Sequence, residues 1–313
     1  MIDFRYHVVS IAAVFLALAL GLFIGSTSLR GATASDINKR LKSVANENKR
    51  LSTQLSDATS QLSRDQAFDN ALEPYAVAGR LASQSVVVVS APGADSGLRG
   101  RVISALATAG ATLTGDIRLQ GALLDPQQDE FLNTLTNRFS LGNRTLPSGS
   151  GAERALALLA DVLGTRPQAQ PVGAAAATRV LSAFSDGKLL SVAGNPPRPA
   201  TLALLIGAPA PTTTDAAAAA QASLLGEFAR DLDGAAVGAV VAGPSTAAGS
   251  GGLLDVVRSD KNLRNGVSTV DGIDRATGVV ATVFALAEQA TGGAGSYGVA
   301  AGADAPLPSP SPS

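Results

Sequence analysis

Asp95, Asp116, Asp271 and Asp274 are the residues in the body of this chain whose type and placement could support acid–base chemistry. Each stands at or near the end of an apolar run, where a pair of carboxylates could act as general acid and general base. Aspartates in such turns more often cap the next helix or close the turn, and that reading takes precedence here. The rest of the catalytic alphabet is nearly missing. The 313 residues include no cysteine, one histidine (His7) and one methionine (Met1). A Ser-His-Asp site in the body of the chain is excluded, as are cysteine nucleophiles, disulfides and transition-metal sites built on thiolate or imidazole. The turn Ser90-Ala91-Pro92-Gly93-Ala94-Asp95 departs from GxGxxG, and no P-loop lysine follows it. A net charge of −1 favours neither nucleic acid nor an acidic substrate. The expectation is a protein that is not an enzyme and carries no cofactor.

The elements that would position these aspartates alternate between strand and helix. Val86–Val89 is a buried four-valine strand, and strands are also expected at Thr112–Leu119, Thr201–Ile206, Ala236–Val241 and Gly266–Val270. Ser96–Ala109 and residues 216–231, 250–258 and 275–290 read as helices, and Asp125–Leu190 as a mostly helical side insertion. Such alternation predicts an α/β fold over residues 80–298, a flavodoxin-like doubly wound parallel sheet. Ligands of such sheets bind beyond the carboxyl ends of the strands, here Ser90–Ser96, Gly207–Pro209, Gly243–Thr246 and Asp271–Asp274. Residues 299–313 are Pro/Ser-rich and are expected to be a disordered tail.

Ahead of this domain, Val8–Ile24 runs for seventeen residues without a charge. At 1.5 Å per residue that spans roughly 26 Å, and extension to Leu29 gives a full transmembrane helix over residues 8–29. The small-x-small triplet Ala32-Thr33-Ala34 leaves a cleaved signal peptide as the alternative. Arg5 precedes the apolar run, whereas Arg30, Lys39, Arg40 and Lys42 follow it, a count that would put the C-terminal part in the cytoplasm. Residues 35–73 then carry a heptad seam: Ile37, Leu41, Val44, Asn48, Leu51, Leu55, Ala58 and Leu62, spaced alternately four and three apart. Asn48 at an a position favours a two-stranded parallel register, so the segment predicts a homodimeric coiled coil that ends at Glu73-Pro74.

The opening MIDFRYHVVSIAAVFLALALGLFIG, the coiled-coil segment and the ending GVSTVDGIDRATGVVATVFALAEQATGGAGSYG together resemble the actinobacterial copper transporter B family. The resemblance covers nearly the whole chain, and its specific parts are Met1–His7 running into the anchor and the Ser268–Tyr297 block. It implies a membrane protein of the envelope or outer membrane that limits intracellular copper. It also implies a cytoplasmic N-terminus (residues 1–7) and an extracytoplasmic domain, the reverse of the charge count. A related corynebacterial branch looks like a dimeric cell-separation factor with a cytoplasmic partner, and Asp3, Arg5, Tyr6 and His7 are the candidate contact for such a partner. Copper sites draw on thiolate, thioether or imidazole, which the domain lacks, so direct copper binding is not expected. The Ala-rich helices offer no barrel pattern, and one helix encloses no pore unless several copies assemble. Three readings follow: a non-catalytic dimeric scaffold linked to copper homeostasis, a pore-forming component of copper transport across the outer envelope, or a cell-separation factor.

Overall fold

The computed structural model describes residues 4–139, 146–167, 170, 172–194, 197–213 and 215–309. The chain divides into two units, Met1–Asp65 and Gln66–Ser313. The helix α1 (Phe4–Val77) makes up the described part of the first unit and opens the second. Within it, Arg5–Ser26 has a mean hydropathy of 2.7, and none of its described residues is buried. Its 22 residues extend for about 33 Å, enough to cross a bilayer core of about 30 Å.

The second unit begins with the last turns of α1. The dipeptide Glu73-Pro74 predicts the end of the helix, yet α1 runs to Val77 with Pro74 inside it. Proline deletes a single backbone donor, and here it does so in the final turn, where contacts with the domain hold the chain. Val77 is fully buried, and Glu73 pairs with Arg101 at 3.3 Å. Just beyond the helix, Arg80 lies 4.7 Å from the centre of the Phe284 ring, a cation–π contact.

The remaining elements are β1 (Ser85–Ser90), α2 (Ser96–Thr108), β2 (Thr112–Leu119), α3 (Asp129–Thr136), α4 (Gly151–Leu163), α5 (Ala174–Asp186), β3 (Leu190–Ala193), β4 (Leu202–Ile206), α6 (Ala216–Ala235), β5 (Gly238–Ala242), α7 (Leu253–Ser259), α8 (Lys261–Arg264), β6 (Ser268–Val270), α9 (Ala276–Gln289) and β7 (Ser296–Tyr297). The strands form one sheet in the order β3-β2-β1-β4-β5-β6-β7. Every pairing is parallel except β2 with the edge strand β3. The direction of travel across the sheet reverses at β1, which lies between β2 and β4, so the fold has a topological switch point there.

Alternation within each strand divides the core in two. Val87 and Val89 of β1 join Leu205 of β4 and Val241 of β5 on one face, under α3 to α7. Val86 and Val88 join Leu202, Leu204 and Val240 on the other face, under α2, α9 and the end of α1. Parallel strands buried on both faces read as unbroken apolar runs, as these do. The stretch Asp125–Leu190 is no side insertion. Leu156, Leu159 and Leu163 of α4, with Val180 and Phe184 of α5, are fully or nearly fully buried in the first core and cover that face of the sheet. A capping box between Ser150 and Glu153 starts α4.

Part of the segment expected as a disordered tail makes hydrogen bonds to the α/β unit. Asp304 and Ala305 lie beside β7: the Asp304 N–H donates to Ser296 O at 2.7 Å, the Ser296 N–H donates to Asp304 Oδ2 at 3.2 Å, and Tyr297 forms a parallel bridge with Ala305. Residues 310–313 lie outside the described residues.

Candidate functional site

Asp95, Asp271 and Asp274 follow the carboxyl ends of their strands and Asp116 lies within β2, and each is engaged by a neighbour. Asp95 is the N-cap of α2 and accepts from the Leu98 N–H at 2.8 Å. Asp116, on β2, pairs with Arg99 of α2. Asp274 accepts from the Ser245 N–H at 2.7 Å and from the Ser245 hydroxyl at 2.9 Å, which ties the loop after β6 to the loop after β5. Burial opposes ionisation of Asp274, but the two Ser245 bonds, its own backbone N–H and the charge of Arg275 together lower the pKa below its ordinary value.

Asp271 is the most enclosed of the four. Its side chain is 0% exposed and pairs at 2.9 Å with Arg258 of α7, itself 4% exposed. Arg258 also donates to Thr269 Oγ1 (3.0 Å), Tyr297 O (2.8 Å) and Ala301 O (3.1 Å). The free face of the Asp271 carboxylate accepts the Val299 and Ala300 N–H groups at 3.0 and 3.2 Å. A buried charge pair survives desolvation when its remaining polar groups are satisfied, as they are here. Gly298 is indispensable to this arrangement: its φ is +126°, and a Cβ there would lie 2.2 Å from Asp271 Oδ2. Arg258 carries no catalytic motif and was legible only as the residue four after Leu254, a spacing that puts it on the buried face of α7.

These bonds explain the ending block chemically. Gln289, at the end of α9, donates to Gly266 O at 2.7 Å and to Ser268 Oγ at 2.9 Å. A Cβ on Gly278 would lie 2.1 Å from Gly272 O, so α9 can approach the β6 loop only with glycine there. The Tyr297 hydroxyl donates to Glu288 of α9. Its pKa is pushed well above the ordinary 10.0, first by burial, then by the Glu288 hydrogen bond and the charges of Glu288 and Asp304. The folded chain therefore keeps a proton that the unfolded chain releases. This contribution to stability is complete below about pH 10 and declines as the pH rises further. Urea midpoints taken on either side of about pH 10 should fall more steeply in the parent than in Tyr297→Phe.

Beside the Asp271 turn, a largely apolar cavity of about 400 Å³ is lined by Leu72, Ala76, Arg275, Phe284, Val299 and Leu307, among others. Among the described residues, no group of three or more His, Cys, Asp or Glu side chains could hold a metal ion.

The remaining candidates lie on α1. Tyr6 and His7 are exposed in its first turns, as is Arg5, and Asp3 lies outside the described residues. Ile37, Leu41, Val44, Asn48, Leu51, Leu55, Ala58 and Leu62 share one continuous helix and are all exposed within the chain. The large apolar ones among them show between 50% (Leu51) and 69% (Leu55) of their surface.

Among the described residues one apolar helix is long enough to span a bilayer, and it leads into a mixed α/β unit with a parallel-rich sheet, the class of an α/β protein with one candidate membrane span. Its family is explicit. Residues 1–308 match the family model described as copper transport outer membrane protein, MctB, and the chain belongs to that family. It is similar to the copper transporter MctB of Mycobacterium tuberculosis, with 27% identity over 97% of this chain and 98% of the relative. The copper transporters MctB of Mycobacterium bovis and Mycobacterium leprae are 27% and 28% identical to it, each over 97% of this chain and 98% of the relative.

Proposed function

We propose that this protein is a non-catalytic dimeric scaffold of the cell envelope, anchored by α1 and acting in copper homeostasis without itself binding copper. The observation that carries the reading is the heptad seam, a narrow apolar stripe with Asn48 at an a position, exposed along its own helix. A two-in-seven stripe suits self-association, and two copies anchored in one membrane require parallel pairing. The family description supplies the link to copper transport. The orientation proposed with it, N-terminus in the cytoplasm and α/β domain outside, rests on the resemblance of the opening and ending blocks alone. The ligand chemistry supports an indirect effect, because residues 66–313 contain neither Cys, His nor Met. The engaged state of all four aspartates supports the non-catalytic reading.

Purified full-length chain in detergent, titrated with Cu(I) against a competing chelator, should show no binding tighter than about micromolar; tight stoichiometric uptake would replace the scaffold with a direct copper carrier. The exposed first turn of α1 is the proposed contact for a cytoplasmic partner. Substituting Asp3, Arg5, Tyr6 and His7 together should abolish partner recruitment in crosslinking while leaving membrane insertion unchanged, and unaltered recruitment would remove that role.

A second reading, a pore-forming transport component, draws on the family description and on the exposed apolar span. It requires assembly beyond a dimer and predicts conductance in a planar bilayer.

A further inference from the structure

Buried polar atoms without a partner are few in a folded protein, and each calls for an explanation. Among the described residues four such side-chain atoms occur, and two of them, the Ser90 hydroxyl Oγ and the Arg99 Nε, belong to residues at the carboxyl end of β1 and in the first turn of α2. There the strands and the helix enclose an open crevice of about 330 Å³. We propose that this crevice binds a phosphate-type oxyanion, either the free anion or a phosphomonoester.

Four features converge on it. Ser90 lines the crevice, is 4% exposed, and carries a hydroxyl with no partner. Arg118 stands opposite Ser90 in the β1–β2 register, so both side chains emerge on the face of the sheet that α2 covers. Arg118 is exposed and also lines the crevice, which places a solvent-accessible guanidinium at its rim. Arg99 lines the same space; its ion pair with Asp116 fixes the guanidinium and leaves Nε without an acceptor.

The fourth feature is the start of α2, a helix of 13 residues. The Asp95 cap takes the Leu98 N–H, whereas the Ser96 and Gly97 N–H groups have no intrahelical acceptor. A helix N-terminus of this kind favours an anion. The loop that delivers it, Ala91 to Asp95, turns through Gly93 at φ +80°, and the crevice opens beyond the carboxyl ends of β1 and β2, the edge at which open α/β sheets bind ligands. In charge terms, Asp116 balances Arg99 and the Asp95 cap offsets the helix terminus, which leaves Arg118 as the charge that attracts the ligand. A tetrahedral oxyanion offers acceptors in several directions at once, which suits donors from two strands and a helix better than a planar carboxylate does.

The test is isothermal titration of the full chain in detergent with inorganic phosphate and, in parallel, with glycerol 3-phosphate, at fixed ionic strength. Saturable one-site binding is expected for at least one of the two. Binding of phosphate itself assigns the site to the free anion, and binding of glycerol 3-phosphate alone assigns it to an esterified one. Arg118→Gln should weaken the binding at least tenfold, and Ser90→Ala severalfold. Ser90→Ala should also leave the melting temperature unchanged or raised, because an unpaired buried hydroxyl is removed. No saturable binding of either probe would overturn the proposal. So would binding that both variants retain at full strength, since the anion would then sit elsewhere.

Discussion

Asp271→Ala should cost the α/β unit about 3–5 kcal/mol in urea unfolding followed by tyrosine fluorescence. The magnitude follows from the geometry of the pair. Both side chains are essentially excluded from solvent, and Asp271 is the only carboxylate in contact with Arg258 among the described ion pairs. Removing Asp271 leaves a guanidinium buried without its counter-charge and strips the Val299 and Ala300 N–H groups of their acceptor. Asp271→Asn should fall between the two, since an amide oxygen still accepts hydrogen bonds but carries no charge. A double replacement, Arg258→Met with Asp271→Ala, should recover part of the loss, because it removes both charges from the interior together. The damage should also be local before it is global. Arg258 holds Tyr297 O and Ala301 O, so protease cleavage within residues 299–309 should appear in Asp271→Ala at urea concentrations where the parent is protected. A loss below about 1 kcal/mol would mean that the pair is incidental to the fold.

The second large effect concerns the seam. Leu41→Asp with Leu55→Asp should convert the detergent-solubilised chain from dimer to monomer in analytical ultracentrifugation. Both positions are a sites whose side chains are 61% and 69% exposed in the single chain, so the substitutions leave the fold of the α/β unit untouched. In a parallel pair each new carboxylate meets its own copy, and a buried leucine is lost on both sides. The cost is about 3 kcal/mol or more at each layer, over a hundredfold in dissociation constant. Asn48→Leu acts in the opposite sense. It should tighten association while releasing the two-stranded specification, visible as higher oligomers. A parent chain that sediments as a monomer at every accessible concentration would end the dimer reading outright.

Much of the architecture was legible because parallel strands buried on both faces are unbroken apolar runs. Val86–Val89 could be nothing else, and Thr112–Leu119 was read to the residue. Strands β3 and β7 were invisible. Leu190–Ala193 is a half-buried edge of four residues, and Ser296–Tyr297 is a two-residue pairing inside a glycine-rich stretch, so neither is long enough to express a period. Glu73-Pro74 misled for a related reason. Local preference ends a helix there, but the burial of Val77 carries α1 one turn further. The caution over the aspartates was sound for Asp95, whose position before α2 is a cap signal. The partners of Asp116 and Asp271 lie on other elements, and no spacing announces them. Composition likewise hid the hydrogen bonds of residues 299–301, which reach a pair, Arg258 and Asp271, set well before them in the chain.

The most direct test of the proposed role is cell-associated copper in a deletion strain at sub-toxic copper, complemented with the parent or with the Leu41→Asp, Leu55→Asp chain. The scaffold account predicts that deletion raises cellular copper, that the parent restores it, and that the monomeric variant, inserted at equal level, does not. Copper that stays unchanged on deletion, or that the monomeric variant restores as fully as the parent, would contradict it.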